Sequence, residues 1–389
     1  MEIGLIALLI SSLVLIAYHH VGYPLLLKCV PDKQPTEQDI EELKKNPSLP
    51  SIGLLIPAYN EAKFIADKIF NLASLDYPAD KLQIILACDG CSDNTAEIAR
   101  NTLALSECQH LNMKVVEFEE NRGKIAVVNC ASRLFETDLL AMSDVSALLS
   151  LDALLQLSHL FNDEKVGLVC SHYHLIEPGS DGEETYWRYQ SYIKQKEASL
   201  GSVLGAHGAF YAIRRRLFKP LEHDTINDDF ILPMRILEAG YTGLYAPHIH
   251  AVELEGSDES MDFNRRTRIA AGNIQQIVRL KRLLSPSFGG IAFAFMSGKT
   301  LRMMMPWLML IALVTSFLLW NTHWAFAALA IAQTAAYLLV MMLNVIPKSK
   351  LPGVLNTLMY LVNGHAANLI GTLKYLFGQR QNRWHSISE

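Results

Sequence analysis

Two adjacent carboxylates, Asp228 and Asp229, stand directly before an apolar run in the stretch NDDFILPMRILEAGY. Neighbouring like charges raise each other's proton affinity, so a fold gains nothing from the pair unless a partner or a reaction uses it. The same residues could instead cap a helix that ends at Gly240, since Asn and Asp side chains accept hydrogen bonds from first-turn N–H groups. The local pattern leaves both interpretations open.

Other polar residues follow the apolar runs SIGLLIPAYN, LQIILACDG, NMKVVEFEE and DLLAMSDVSALL. Helical patterns in EAKFIADKIFNLASL and from Asn94 to about Leu105 separate these runs, and strands alternating with helices predict a parallel doubly wound sheet. Ligand sites of such sheets lie at the carboxyl ends of the strands. The polar residues at those ends are Asn60 and Glu61, Asp89 and Asp93, Asn121 and Lys124, and Asp144.

Each of these residues alone could cap the helix that follows, but four such positions in register predict a ligand site. Carboxylates can hold a base, a ribose or a divalent cation, and Lys124 in NRGK can balance phosphate charge. The sequence has neither a Walker loop nor a G-x-G-x-x-G fingerprint. A nucleotide would therefore be held by carboxylates together with a divalent cation, Mg²⁺ or Mn²⁺.

The chain has 389 residues, half of them hydrophobic, which predicts more than one domain and a membrane-associated protein. Residues 3–18 carry no charge and approach the roughly 20 residues needed to cross a bilayer. Without a basic n-region or a small-x-small site they predict an uncleaved anchor. The uncharged runs 303–320 and 324–346 are joined by a short turn and predict an antiparallel membrane hairpin.

These patterns divide the chain into successive segments. We expect a transmembrane anchor over 1–28, a linker over 29–50, a globular domain over 51–282 and an interfacial segment over 283–302. The membrane hairpin would occupy 303–346. Residues 347–389 would form an interfacial or packed helix and a basic tail, because the stretch 354–377 is only moderately apolar.

Flanking charges predict the orientation of the hairpin. Arg302 precedes it, Lys348 and Lys350 follow it, and the turn at 321–323 lacks Lys and Arg. The positive-inside rule then places the turn outside and the globular domain in the cytoplasm, at the plasma (inner) membrane. The six cysteines of such a domain are expected to be free thiols, including the C-x-x-C pair Cys88 and Cys91. A formal charge of −5 without an aromatic-basic patch argues against nucleic acid as a partner.

The order of these motifs, from about Ile52 to about Gln276, resembles the membrane-bound family 2 glycosyltransferases, the branch that includes cellulose, chitin, hyaluronan and poly-N-acetylglucosamine synthases. The resemblance implies an α/β, Rossmann-like GT-A domain flanked by N-terminal and C-terminal transmembrane helices. It also implies an inverting, metal-dependent enzyme at the cytoplasmic membrane face. Such an enzyme moves a sugar from a nucleotide sugar, here a UDP-sugar, to a lipid or lipid-linked glycan acceptor.

The resemblance also implies roles for residues around the donor. IPAYNE looks like the opening strand motif, and CDGCSDNT is similar to D-D-G-S-x-D-x-T, so Asp89 would hold uracil and Asp93 would support that loop. NRGKIAVVN places Lys124 at the diphosphate, and SDVSA lies where the family has D-x-D. The implied donor-binding residues are Pro57, Tyr59, Asn60, Glu61, Asp89, Asp93, Lys124, Ser143 and Asp144.

On the acceptor side, GAHGAFYAIRR resembles the loop of small residues that lies along the acceptor. NDDFILPMRILEAGY matches the E-D-x-x-L segment, whose second carboxylate is the general base. The resemblance therefore makes Asp229 the base and Asp228 a residue that positions it. Direct displacement at an anomeric carbon needs such a base and a cation on the departing diphosphate, and needs no enzyme nucleophile.

The sequence departs from the family pattern at the metal motif. The D-x-D position has Asp144, Val145 and Ser146, so one carboxylate has become a hydroxyl. Asp144 can still bind the cation if the diphosphate and waters complete its shell. His250, or alternatively His248, could supply a further ligand, although a lone His beside a strand is more often structural.

A second departure falls in FNRRTRIAAGN, where processive synthases have Q-R-x-R-W. Arg265, Arg266 and Arg268 suit a diphosphate, and the alternative is a solvated helix face. Ile269 replaces the Trp and removes a surface on which a sugar could stack. This loss and the small number of membrane spans disfavour a long secreted polymer. A processive synthase with partner subunits and a catalytically silent GT-A scaffold remain the alternatives.

Overall fold

The computed structural model describes residues 1–176, 181–255, 259–346 and 353–378. The helices are α1 (Glu2–Ala17), α2 (Tyr23–Lys28), α3 (Ile40–Lys44), α4 (Ile65–Ala73), α5 (Thr95–Leu103), α6 (Lys124–Ala131), α7 (Ala153–Leu160), α8 (Asp181–Ala198), α9 (Asp228–Glu238), α10 (Glu259–Arg279), α11 (Gly290–Ala294), α12 (Leu301–Leu318), α13 (Trp324–Leu343) and α14 (Gly353–Leu376). The strands are β1 (Ile52–Ala58), β2 (Leu82–Asp89), β3 (Met113–Phe118), β4 (Leu139–Met142), β5 (Ala147–Leu149), β6 (Val166–Leu175), β7 (Tyr211–Arg214) and β8 (Thr242–Glu253).

The chain forms two compact units. The sheet unit contains the described residues of 32–176 and 190–255, and the helical unit contains those of 1–31, 181–189 and 259–378. The amphipathic helix α10 therefore groups with the helical unit and not, as the sequence predicted, with a globular domain extending to residue 282. Its packing partner explains the difference, because α10 lies along α14.

The sheet unit has one eight-stranded sheet in the order β3-β2-β1-β4-β7-β6-β8-β5. Strands β3, β2, β1 and β4 are parallel, as predicted. The prediction of a wholly parallel sheet is wrong for the other half, because β7 runs antiparallel to β4 and β6, and β5 antiparallel to β8. Every residue of β1 is buried, as expected for a central strand covered on both faces.

The connection between β4 and β5 shows that this sheet is strongly curved. Four inter-strand steps separate β4 from β5 in the sheet order, which in a flat sheet is roughly 19 Å. Yet the ammonium of Lys68 bonds to both Ser143 and the carbonyl of Ala147, at the two ends of the connection. The connection is therefore folded, and the sheet must curl to bring β5 near β4.

The helical unit has three helices that are long and apolar enough to cross a membrane: Glu2–Lys28, Gly290–Leu318 and Trp324–Leu343. The first agrees with the predicted anchor. The second begins at Gly290, within the segment predicted to be interfacial, 283–302, and continues through a π-helical stretch at Phe295–Thr300. Leu9 of α1 packs against Ala312 and Leu319 at the end of α12.

Helix α14 is a packed helix, one of the two forms the sequence allowed. It contacts α10, α12 and α13, and Gly371 lies so close to the carbonyl of Thr267 in α10 that a Cβ would come within 2.3 Å of that oxygen. Lys348, Lys350 and the predicted basic tail from 379 onward lie outside the described residues.

Candidate active site

The loops after β1 and β2 are joined by side chains of the predicted donor motifs. Asn60 adopts a left-handed backbone conformation, with φ of 55°, and its side-chain oxygen accepts from the Ser92 N–H at 2.8 Å. Its amide group donates to the Ser92 hydroxyl at 3.0 Å. Asn tolerates positive φ better than most residues, so one side chain both makes the turn and fixes the neighbouring loop.

Asp93 adds a second tie between the same loops. Its carboxylate accepts from the backbone N–H of Ala62 at 3.0 Å and from that of Thr95 at 3.1 Å. The Thr95 hydroxyl in turn accepts from the N–H of Glu61 at 2.8 Å. Asp93 therefore ties together the two loops, and its support of a bound donor stays a prediction.

Asp89, predicted to hold the base, is bonded to the backbone in this structure. It has no accessible surface, and its two oxygens accept from the N–H groups of Arg122 and Gly123 at 3.0 and 2.8 Å. Asp89 therefore shapes the loop before α6 and does not offer a free face to a uracil in this structure. Pro57 is likewise buried within β1, whereas Tyr59 is half-buried just beyond that strand.

Lys124 bonds to one predicted carboxylate and senses the charge of two others. Its ammonium donates to Asp144 at 3.0 Å, and the two side chains are 27% and 32% exposed. Burial alone would lower the pKa of Lys124, but the carboxylates of Asp144, Asp228 and Asp229 outweigh burial and raise it. Burial likewise opposes ionisation of Asp144, yet Lys124 holds the pKa of that carboxyl below its usual value.

Asp229 lies in the first turn of α9, one residue after Asp228, and the N-cap residue of that helix is Asn227. Neither aspartate is therefore the helix cap that the sequence allowed as an alternative. Burial and the charge of Asp228 raise the pKa of Asp229 to about 6, against the opposing charges of Lys124 and Lys194. A carboxyl with that pKa is mostly ionised at neutral pH and still basic enough to accept a proton.

Asp144 also belongs to an acidic cluster with Glu61, Glu253 and Glu255, whose charges act on one another. Burial, followed by the charges of Glu255, Asp144 and Glu253, raises the pKa of Glu61 to about 8. Hard carboxylate oxygens of this kind suit Mg²⁺ or Mn²⁺. However, no group of three or more His, Cys, Asp and Glu among the described residues could hold a metal ion. A cation at Asp144 would therefore need donor oxygens or waters to complete its shell.

The structure does not bring His250 to Asp144. His250 pairs with Ser150, beyond the end of β5, whereas Asp144 precedes that strand. The His250 ring instead lies 3.0 Å from that of His174. The histidine whose charge acts on Asp144 is His207.

His207 lies in the small-residue loop predicted to line the acceptor path, and its ring stacks on Tyr173 at 3.8 Å between centroids. Gly208 follows it, and a Cβ at that position would lie 2.6 Å from the Asp144 carboxylate. The backbone carbonyl of Gly208 also accepts from the Asp144 N–H at 3.2 Å. The glycine is therefore required for the close approach of this loop to Asp144.

Sequence reasoning missed Lys68. Lys68 lies on the buried face of α4, where the other buried residues are the apolar Ile65, Ile69 and Leu72. Its ammonium is fully buried and donates to the Ser143 hydroxyl at 2.6 Å and to the carbonyl of Ala147. Burial lowers the pKa of Lys68 to about 7 despite the nearby charge of Asp144. The sequence did indicate it, because Lys68 stands at the i+3 position of an i, i+3, i+4, i+7 pattern whose other members are apolar and face the core.

Two neighbours of Lys68 complete the support of the Asp144 loop. Ser143, predicted to bind donor, is 1% exposed. Its hydroxyl donates to the carbonyl of Ala209 at 2.7 Å and so is engaged in an internal hydrogen bond. One turn after Lys68, the Asn71 side chain exchanges two hydrogen bonds of 2.9 Å with the backbone of Leu149. Helix α4 thus fixes both ends of the loop that carries Asp144.

The arginines predicted to bind diphosphate lie on α10, in the helical unit. Arg266 stacks on the ring of Tyr360 in α14, 3.8 Å from its centroid. Arg265 is half-buried and Arg268 is exposed. Arg266 therefore has a packing role within its own unit, and phosphate binding by Arg265 and Arg268 stays a prediction.

Comparison with known families agrees with this geometry. Residues 54–221 match Glycosyl transferase family 2, and residues 147–344 match Glycosyl transferase family group 2. The second match spans more than half of the 389 residues. The chain therefore belongs to the family 2 glycosyltransferases, a family of enzymes, which disfavours the silent scaffold.

Several curated proteins are similar to the chain. The probable glycosyltransferase YdaM of Bacillus subtilis is 26% identical over 63% of this chain and 62% of its own length. The beta-monoglucosyldiacylglycerol synthase of Trichormus variabilis is 26% identical over 59% of this chain and 50% of its own length. The poly-beta-1,6-N-acetyl-D-glucosamine synthase of Staphylococcus aureus is 26% identical over 59% and 56%. The chain thus spans between half and two thirds of these relatives.

Among solved structures, the fold is similar to that of the mannosyltransferase PcManGT from Pyrobaculum calidifontis, determined in complex with GDP-Man and Mn²⁺. The TM-score is 0.72 and the identity 22%, over 95% of this chain and 99% of that one. The predicted GT-A fold is thereby confirmed.

Proposed function

We propose that this chain transfers a sugar, with inversion, from a UDP-sugar to a lipid or lipid-linked glycan acceptor at the cytoplasmic face of a membrane. One observation carries the proposal. The Lys124 ammonium bonds to Asp144, and the charges of Asp228 and Asp229, about 100 residues further along the chain, also act on it. A fold has little reason to gather like charges in this way unless a ligand or a reaction uses them.

The proposed reaction gives Asp229 and Lys124 different roles. Asp229 removes the proton from the acceptor hydroxyl as that oxygen attacks the anomeric carbon, and the bond to the diphosphate breaks in the same step. Lys124 lies where it can balance the charge of the departing diphosphate. Because the displacement is direct, the configuration at the anomeric carbon inverts and no covalent enzyme intermediate forms.

The charge of the site supports a need for a divalent cation. A nucleotide diphosphate would bring further negative charge next to Asp144, Asp228 and Asp229, which one lysine offsets only in part. Asp144, with donor oxygens and waters, would hold Mg²⁺ or Mn²⁺, and the cation would stabilise the diphosphate as it leaves.

The acceptor class rests on the membrane helices and on the relatives. A chain with three helices able to cross a membrane is suited to an acceptor that is itself in the bilayer. A relative named as a glycolipid synthase is consistent with that assignment. We propose that the three helices span the membrane and that the sheet unit faces the cytoplasm.

A second candidate is a processive polysaccharide synthase that needs partner subunits, and the similarity to a poly-N-acetylglucosamine synthase favours it. The two candidates differ in product. One sugar added per acceptor indicates the transferase, whereas a distribution of long chains from the same acceptor indicates the synthase.

The test starts from the purified full chain in lipid nanodiscs with Mn²⁺. UDP-sugars and GDP-mannose are screened by thermal shift, because a ligand that binds the folded state raises the melting temperature. The best donor is then assayed for turnover with membrane lipid extract, using Asp229→Asn as the control for catalysed transfer. Stabilisation by a UDP-sugar and transfer lost in that variant are the expected results. No stabilisation by any nucleotide sugar would contradict the proposal.

A further inference from the structure

The motif CDGC places two thiols inside the donor loop where the similar family motif has Asp and Ser. Cys88 is the penultimate residue of β2 and is 1% exposed, and Cys91 is half-buried three residues later. Both are free thiols in this structure. Cytoplasmic proteins keep such thiols reduced in the resting state, so a free pair is compatible with a reversible role.

The neighbouring strand and a tight turn place the two cysteines side by side. Cys91 Sγ donates to the carbonyl of Ala58 at 3.6 Å, and Ala58 is the residue of β1 that pairs with Cys88. A hydrogen-bond interaction between the two thiols is also the largest cause of the pKa shift of each. Gly90, with φ of 63°, makes the tight turn between them. The strand pairing and the turn therefore place the Cys91 side chain next to Cys88.

The two thiols differ in reactivity. The hydrogen bond from Cys88 lowers the pKa of Cys91 to about 7, whereas the same bond and burial raise the pKa of Cys88. The thiolate is the nucleophile in thiol–disulfide exchange. The partly exposed Cys91 thus has the properties of an attacking thiol, and the buried Cys88 those of the thiol that resolves the exchange.

We propose that Cys88 and Cys91 form a reversible dithiol–disulfide modification site and that their disulfide closes the donor site. The second half of this proposal rests on the proposed function. The co-reactant is a low-molecular-weight disulfide. The Cys91 thiolate attacks one of its sulfurs and releases one thiolate, which leaves a mixed disulfide on Cys91. Cys88 then attacks Cys91 Sγ, its proton passes to the second departing thiolate, and the two protein thiols are oxidised as one disulfide is reduced to two thiols.

The loop has little room to absorb this bond. A sulfur–sulfur bond of about 2.05 Å is much shorter than a hydrogen-bonded contact, so Cys91 must move toward β2. On one side, the Gly90 position lies against the backbone of Glu120 and Asn121. On the other, Ser92 is tied to Asn60. Movement of Cys91 therefore displaces the Asn60–Ser92 pair or the loop before Lys124, and both belong to the proposed donor site.

The experiment treats the full chain in nanodiscs with oxidised glutathione and follows two readouts. Peptide mass spectrometry should show the Cys88–Cys91 peptide lighter by two hydrogens, and dithiothreitol should restore it. The UDP dissociation constant, measured with Mn²⁺, should rise by at least about tenfold on oxidation and return on reduction.

Three variants separate the steps. Cys88→Ala should stop at the mixed disulfide, seen as added glutathione on Cys91. Cys91→Ser should show neither product, and its UDP affinity should no longer respond to the oxidant. Cys130→Ser, which removes an exposed thiol elsewhere in the sheet unit, should behave as the unmodified chain does.

The outcomes that overturn the proposal are distinct. Absence of the internal disulfide under conditions that modify Cys130 would overturn the modification site. A formed disulfide with unchanged UDP affinity would overturn its effect on the donor site. If the reduced chain binds no nucleotide, the proposed function fails, and so does the proposed effect of the disulfide on the donor site. The mass measurement still decides whether the disulfide forms.

Discussion

Lys124 donates to Asp144 over 3.0 Å, between residues 20 positions apart in sequence. Lys124 begins α6 and Asp144 lies in the connection from β4 to β5, so the sheet topology creates the contact. Without a ligand, the ammonium partly neutralises the carboxylate. A donor diphosphate would compete with Asp144 for the same ammonium, which couples donor binding to release of Asp144.

Lys124→Met should weaken UDP binding by about tenfold or more and leave uridine binding nearly unchanged, because the lost cation faces phosphate and not the base. Calorimetric titration of both ligands in Mn²⁺ measures the difference. Lys114→Met, on the exposed side of β3, serves as a matched control and should affect neither ligand. Equal losses for UDP and uridine would show that Lys124 does not meet the diphosphate.

Lys68→Met should reduce kcat and the Mn²⁺ dependence of UDP binding, although Lys68 is buried behind the site. The substitution keeps the length of the side chain but removes the bonds to Ser143 and Ala147 that hold the Asp144 loop. Unmade bonds at these buried groups should also cost roughly 1–3 kcal/mol of unfolding free energy.

A destabilised but otherwise normal enzyme would show only the stability loss, so the metal response is the discriminating readout. Asp67→Asn, exposed on the same helix, provides the control. A folded Lys68→Met chain with wild-type kcat and Mn²⁺ response would mean that α4 does not position Asp144.

The parallel half of the sheet and the donor motifs at its strand ends could be predicted because each is encoded locally. A strand pattern and the polar residue that follows it are contiguous in sequence. The antiparallel strands β5 and β7 could not be predicted in the same way, since their direction depends on partners far away in the chain. Residues 139–149 read as one apolar run interrupted by Ser143 and Asp144, and only the fold turns that run into two strands.

The same limit applies to individual residues. Asp89 and Ser143 have the right chemistry for a ligand, but the structure uses their oxygens for backbone and side-chain partners. His250 has a side chain able to bind a metal, whereas the register of β8 with β5 places it beside Ser150. Burial and register are properties of the whole sheet, which no single motif contains.

Glu61→Gln should remove a pH dependence of stability. Burial and neighbouring carboxylates raise the pKa of Glu61 from 4.5 to about 8, so the folded state favours the neutral carboxyl more than the unfolded state does. This contribution to stability is fully present below pH 4.5 and is lost as pH rises through about 8. Glutamine stays neutral, so the variant should unfold with a flatter dependence between pH 6 and 9.

Chemical denaturation across that range, without divalent cations, measures the effect. Glu97→Gln, an exposed residue in the first turn of α5, should keep the slope of the unmodified chain. Parallel slopes for Glu61→Gln and the unmodified chain would show that Glu61 is ionised throughout.

Asp229→Asn tests the proposed base. Asparagine keeps the shape of the side chain but cannot accept the acceptor proton, so kcat should fall by about 10²–10⁴-fold while donor affinity changes by less than about threefold. Because the pKa of Asp229 is about 6, kcat/KM of the unmodified enzyme should fall as pH drops through 6, and the variant should lack that limb. Asp228→Asn is the matched control on the same turn and should cost less activity.

The raised pKa also means that ionised Asp229 opposes folding, so the Asp229→Asn variant should melt at a higher temperature at pH 7. The variant should therefore be more stable than the unmodified chain, bind donor and lack activity. Only a catalytic base whose charge is unfavourable in the folded state predicts that combination. Full activity would instead direct the search to another carboxylate near the acceptor.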